Sequence, residues 1–177
     1  MRSFIIVFFV VAACARGASH HEMAMSQSSA AEPSAYGREV QDGYTRVRAA
    51  TAAYRVLDSA VTRGYVASVP QCFADSTHGA MGYHHLNRGY VDNKIELDKP
   101  EILLYERKAD GSYGLNGVEY IIPYRVWPKD SVPPKLMGRD MFKSEPLQLW
   151  YTHMWVWTPN NAGLFADWNP AVKCRPN

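Results

Sequence analysis

Beyond Gly64 no apolar run goes far before a Pro, Gly, Asn or Asp cuts it, and that punctuation restricts the chain to short strands joined by turns. Five segments carry the β-branched, aromatic and aliphatic residues that suit a pleated surface: Tyr65 to Val69, Met81 to Leu86, Glu101 to Arg107, Val118 to Val126 and Leu147 to Trp157. Asp110-Gly111 marks a hairpin after the third of these, with a loop longer than two residues. Ahead of the strands the spacing changes. Val40, Tyr44, Val47, Ala50, Tyr54, Leu57 and Val61 recur every three or four positions, with Asp42 as N-cap and Gly64 as the left-handed stop. Together these predict an α+β domain: one long N-terminal amphipathic helix, from about Gly43 to Arg63, packed on a mostly antiparallel sheet or open barrel.

The first residues read differently from the rest. Met1-Arg2-Ser3 precedes about ten apolar residues, the dimensions of a secretory signal and too short for a membrane span. We therefore expect a signal peptide over 1–18, a flexible linker over 19–39, rich in Ser and Ala, and a single domain over 40–177. The product is then exported, secreted or periplasmic, with no transmembrane span. Val11-Ala12-Ala13-Cys14 also resembles a bacterial lipoprotein box, which would make Cys14 a lipid anchor; ordinary cleavage that discards Cys14 is the alternative. Export gives the two remaining cysteines a meaning, since an oxidising compartment favours a disulfide between Cys72 and Cys174.

The net charge of +2 is spread among both signs, without the basic footprint of a nucleic-acid binder. There is no Gly-x-Ser-x-Gly elbow and no phosphate-cradling glycine loop before a helix. What remains is histidine among aromatics. Strand alternation places Tyr151, His153, Trp155 and Trp157 on one face, and Glu119 with Ile121 on one face of its own strand. His84 and His85 are adjacent and so point to opposite faces, and only one can enter a given site. Burying His and Glu among Tyr, Trp and Ile is costly unless each is hydrogen-bonded, paired or bound to a metal. His84, Glu119 and His153 form a two-His, one-carboxylate set that suits a divalent ion, zinc or iron, for hydrolytic or oxidative chemistry. His85, Tyr151, Trp155 and Trp157 are candidate ligand-binding residues beside it, and loop His78 is a reserve metal ligand. Two other classes stay open: a non-enzymatic module whose aromatic cleft, built from the five tryptophans, holds a small molecule or carbohydrate, and a structural envelope protein.

Several ordered segments carry a resemblance. They are Gly79-Ala80-Met81-Gly82-Tyr83-His84, Pro100 to Glu106, Leu115-Asn116-Gly117-Val118-Glu119-Tyr120, and His153 to Trp157 leading to Phe165-Ala166-Asp167-Trp168-Asn169-Pro170. Over Tyr44 to Cys174 the chain resembles a family of small exported proteins with no assigned activity. The resemblance implies a shared fold and favours His84 over His85, because His85 stands where that pattern has tyrosine. Glu119 and His153 match positions in the corresponding motifs.

Overall fold

The computed structural model describes residues 32–175. The expected signal peptide, the candidate lipid-anchor residue Cys14 and most of the linker lie outside them. Helix α1 spans Arg38–Thr51 and α2 spans Leu57–Thr62, separated by a 3-10 turn at Ala52–Arg55. Nine strands follow among the described residues: β1 Val66–Ala67, β2 Phe73–Asp75, β3 Gly79–Leu86, β4 Ile102–Arg107, β5 Tyr113–Pro123, β6 Lys135–Leu136, β7 Arg139–Asp140, β8 Phe142–Ser144 and β9 Leu149–Met154. The main sheet has the order β1-β3-β4-β5-β9-β8 with β2 paired to β3 off that path; every pairing is antiparallel.

The mix of helix and antiparallel sheet is as expected, but the single long N-terminal helix is not. The helical stretch runs over 38–55, a 3-10 turn at Pro33–Tyr36 precedes it, and the chain turns extended at Val56 before α2 begins. The cause is tertiary. The Tyr54 carbonyl, which would accept the next helical N–H, instead accepts the Tyr105 hydroxyl at 2.6 Å. The Thr51 hydroxyl donates back to the Val47 carbonyl at 2.8 Å and accepts the Trp157 indole N–H at 3.0 Å, so the end of α1 is tied to a loop 106 residues away. Val61, expected on the buried stripe, is 49% exposed. Gly64 does provide the stop, at φ +100°. Pro33–Tyr36, expected as linker, is ordered, with Tyr36 edge-on to Phe165.

Period-2 alternation divides the sheet into two faces. One face presents Leu103, Tyr105, Val118, Tyr120, Ile122, Trp150 and Met154, which pack with Val40 and Val47 of α1 and with Leu136 and Met137 of the β6–β7 hairpin. Each such side chain contributes about 1.5 to 3 kcal/mol when fully buried, and Leu103 and Val118 are completely covered. The other face presents Ile102, Leu104 and Ile121, covered by Trp155, Val172 and Cys174. The Cys72–Cys174 disulfide forms as expected and ties the approach to β2 to this covering segment across 102 residues. No helix among the described residues is long and apolar enough to cross a membrane.

Candidate metal centre

The second face of the sheet is where the polar residues gather. Glu119 of β5 is directly opposite His153 of β9, and it shares a cross-strand row with Ile102 of β4 and Leu86 of β3. His84, two residues before Leu86, reaches over β4 from the row of Leu104 and Gly117. Gly117 makes that row shallow: a Cβ there would stand 2.7 Å from the Met154 carbonyl and 3.3 Å from the Trp155 ring. Without it the Trp155 ring lies over the strand, where it stacks near-parallel on His153 at 6.3 Å.

His84 Nε2 lies 3.5 Å and His153 Nε2 3.8 Å from the same oxygen, Glu119 Oε2. Ligands about 2.0 to 2.2 Å from one tetrahedral ion are roughly 3.4 Å apart. The three residues are buried and offer ligand atoms that all lie within 4.8 Å of one another, so the group could hold a metal ion. His153 Nε2 is a buried nitrogen with no hydrogen-bond partner. Leaving such an atom unsatisfied costs about 1 to 3 kcal/mol.

Electrostatics sharpen the arrangement. Burial and the neighbouring His153 hold the His84 imidazole down to about 3, so it stays neutral with a lone pair available. Burial pushes the Glu119 carboxyl above its ordinary range, with His153 pulling the other way. Burial opposes charge on His153, but Glu119 and Asp167 outweigh it and raise its pKa. Two carboxyl groups thus face one imidazole and favour a proton on it, and a metal cation bound between Glu119 and His153 would take the place of that proton.

Asp167 is the residue that strand periodicity missed. Its Oδ1 lies 3.4 Å from His153 Nδ1 and its Oδ2 accepts the Tyr151 hydroxyl at 3.0 Å. Burial acts to raise its pKa, yet the contacts to His153 and Tyr151 bring it below the usual value. An Nδ1–H directed at Asp167 leaves the Nε2 lone pair facing Glu119, the carboxylate–histidine relay common behind metal ligands. A backbone clip holds this loop. Ala80 and Asn169 exchange both N–H···O bonds at 3.1 Å, and a Cβ on Gly79 would stand 2.3 Å from the Asn169 carbonyl. Asp167 does sit in the Phe165 to Pro170 motif, which was the only sequence signal for it.

The other candidates are distributed as follows. Tyr151 is at the rim through Asp167, and Trp155 backs His153 with its indole N–H donated to the Ala166 carbonyl. His85 does not join; it points to the helix face, against Tyr105 and Tyr113. Trp157 does not join either. β9 ends at Met154, and the N–H groups of Trp157 and Thr158 both donate to the Asn116 carbonyl, carrying the ring to Thr51 and beneath Arg48. His78 is exposed and pairs with Asp75 at 2.8 Å. Phe73, on β2, adds an exposed ring edge-on to His84 at 5.1 Å. What fold and site define is thus an α+β domain with a buried His, His, Glu group behind a Tyr–Asp relay. Comparison with family models, curated proteins and solved structures finds no match.

Proposed function

We propose that His84, Glu119 and His153 bind one zinc ion whose remaining position holds water, and that the protein is a metal-dependent hydrolase. The observation that carries this reading is the pair of imidazole nitrogens facing one buried carboxylate oxygen, with His153 Nε2 left without a hydrogen bond. Two histidines and one carboxylate leave zinc an open fourth position, and bound water there loses a proton near pH 7, far below its ordinary range. Asp167 is the positioning residue that keeps His153 Nε2 available. Access is from the side of His84 and Glu119, whose side chains retain 10% and 7% exposure against 2% for His153. The disulfide, and the lack of a membrane-crossing helix among the described residues, are compatible with an exported protein.

The carbohydrate platform has less support, because Trp150 and Trp155 are each 1% exposed and Trp157 lies under Arg48 and Arg55, which leaves the half-buried Trp127 and Trp168 of the five. The deciding experiment is metal analysis of the purified chain. One equivalent of zinc, lost in His84→Ala and His153→Ala, upholds the proposal. Iron in its place moves the chemistry to dioxygen, since the same donor set serves non-haem iron. A chain that takes up no divalent ion overturns it.

A further inference from the structure

A cleft of about 510 Å³ opens beside the metal trio on the same face of the sheet. Its floor includes Leu86, Ile121 and Leu149. Leu86 shares the cross-strand row of Glu119, Ile121 is the next residue on that face of β5, and Leu149 is two residues from Tyr151. Successive same-face residues of a strand stand roughly 6.8 Å apart, so the floor begins one side-chain step from Glu119.

The cleft is unusual in its charge. Arg88 and Arg125 line it, no acidic residue does, and neither guanidinium has an ion pair or hydrogen bond among the described residues. Two exposed arginines without partners beside an apolar floor are complementary to a molecule that is apolar along its body and anionic at one end. The volume is within the range of small-molecule sites. Gln148, in the cleft wall, closes the turn from Glu145 in the left-handed conformation at φ +56°, its N–H donating to the Glu145 carbonyl at 3.3 Å. A larger cleft of about 600 Å³ lies beside Trp157, but it is on the helix side, where Leu115 and Trp157 pack in the core, and Glu106 and Lys108 both line it.

Resting on the hydrolase reading, we infer that this cleft binds the substrate: an amphiphilic carboxylate whose head is held by Arg88 and Arg125 and whose apolar body runs over Leu86 and Ile121 toward Glu119. The cleft thereby selects for a negative charge distant from the reacting bond.

Titration calorimetry of the whole chain with octanoate tests this, using 1-octanol as the uncharged control. Metal-free protein is expected to bind octanoate at least tenfold more tightly than 1-octanol. Arg88→Gln/Arg125→Gln is expected to lose that preference while keeping its 1-octanol affinity; both positions are exposed and unpaired, so folding is not at stake. Octanoate binding no tighter than 1-octanol binding, or undiminished in the double variant, overturns the assignment. Zinc uptake is measured on the same preparation. Absence of zinc with retained, arginine-dependent octanoate binding overturns the metal reading and leaves the cleft as an anion-selective ligand site.

Discussion

Glu119 and His153 are directly opposed residues of neighbouring antiparallel strands, with His153 Nε2 3.8 Å from Glu119 Oε2. Register is all or nothing in such a pair. A slip of one residue would turn His153 to the helix side and bring Thr152 or Met154 to this face. The alternation that buries Trp150, Thr152 and Met154 on one side therefore also fixes the candidate metal ligands on the other.

Removing any of the three side chains should abolish stoichiometric metal binding. We expect His84→Ala, Glu119→Ala and His153→Ala to weaken zinc by more than about a hundredfold, beyond the range of substitutions behind the ligands. Competition with a chromophoric chelator measures this, and tight binding retained in all three variants would exclude the assigned centre.

Asp167→Asn should act through His153. An amide can donate to Nδ1, which moves the ring proton to Nε2 and blocks the lone pair that faces Glu119. The expected cost is about 10- to 100-fold in zinc affinity, with the urea midpoint of the metal-free protein nearly unchanged. Equal affinity for Asp167→Asn and the parent chain would show that the relay has no such role.

Reducing Cys72–Cys174 reopens a loop of 102 residues. Loss of such a bond removes about 2 to 5 kcal/mol. Urea unfolding with and without reductant, and of Cys72→Ser/Cys174→Ser, should show a drop of that order. Because Cys174 belongs to the segment covering the metal face, zinc affinity should fall with it.

Glu101 should give stability a pH dependence. It is 2% exposed, its carboxylate accepts the Ile121 N–H at 3.1 Å, and burial pushes its pKa up to about 8 despite the backbone N–H groups that favour its charge. From the ordinary value of 4.5 up to about 8 the unfolded chain has released this proton and the folded one retains it. Its contribution is therefore complete below pH 4.5, declines as pH rises toward 8 and is lost above. The decline is up to about 1.4 kcal/mol per pH unit. Glu101→Gln should flatten the slope of urea stability between pH 5 and 8, measured without metal; an unchanged slope would rule Glu101 out as its source.

The strand positions of Glu119 and His153 are legible from alternation, whereas alternation sets His84 and His85 on opposite faces without choosing between them, and that choice rests on the resemblance. The reading failed where regularity ended. Alternation places Trp157 with His153, but the Asn116 carbonyl captures the chain after Met154 and turns that ring elsewhere. The helical stripe continued to Val61, but the Tyr105 hydroxyl takes the Tyr54 carbonyl from 51 residues away. Asp167 is a loop residue with no period to betray it, and its position depends on the Ala80 to Asn169 bridge. The short strands β2, β6, β7 and β8 have too few residues to develop a pattern.

The pairing of β5 with β9 joins segments separated by the whole excursion from Tyr124 to Gln148. Until that long-range ladder closes, Glu119 and His153 have no shared location, so the disordered chain has no comparable affinity for the ion. If the proposed zinc site is filled, mass action links cation and conformation. Each tenfold rise in free zinc above its dissociation constant adds about 1.4 kcal/mol to the unfolding free energy. The melting temperature becomes a gauge of site occupancy that needs no knowledge of the substrate.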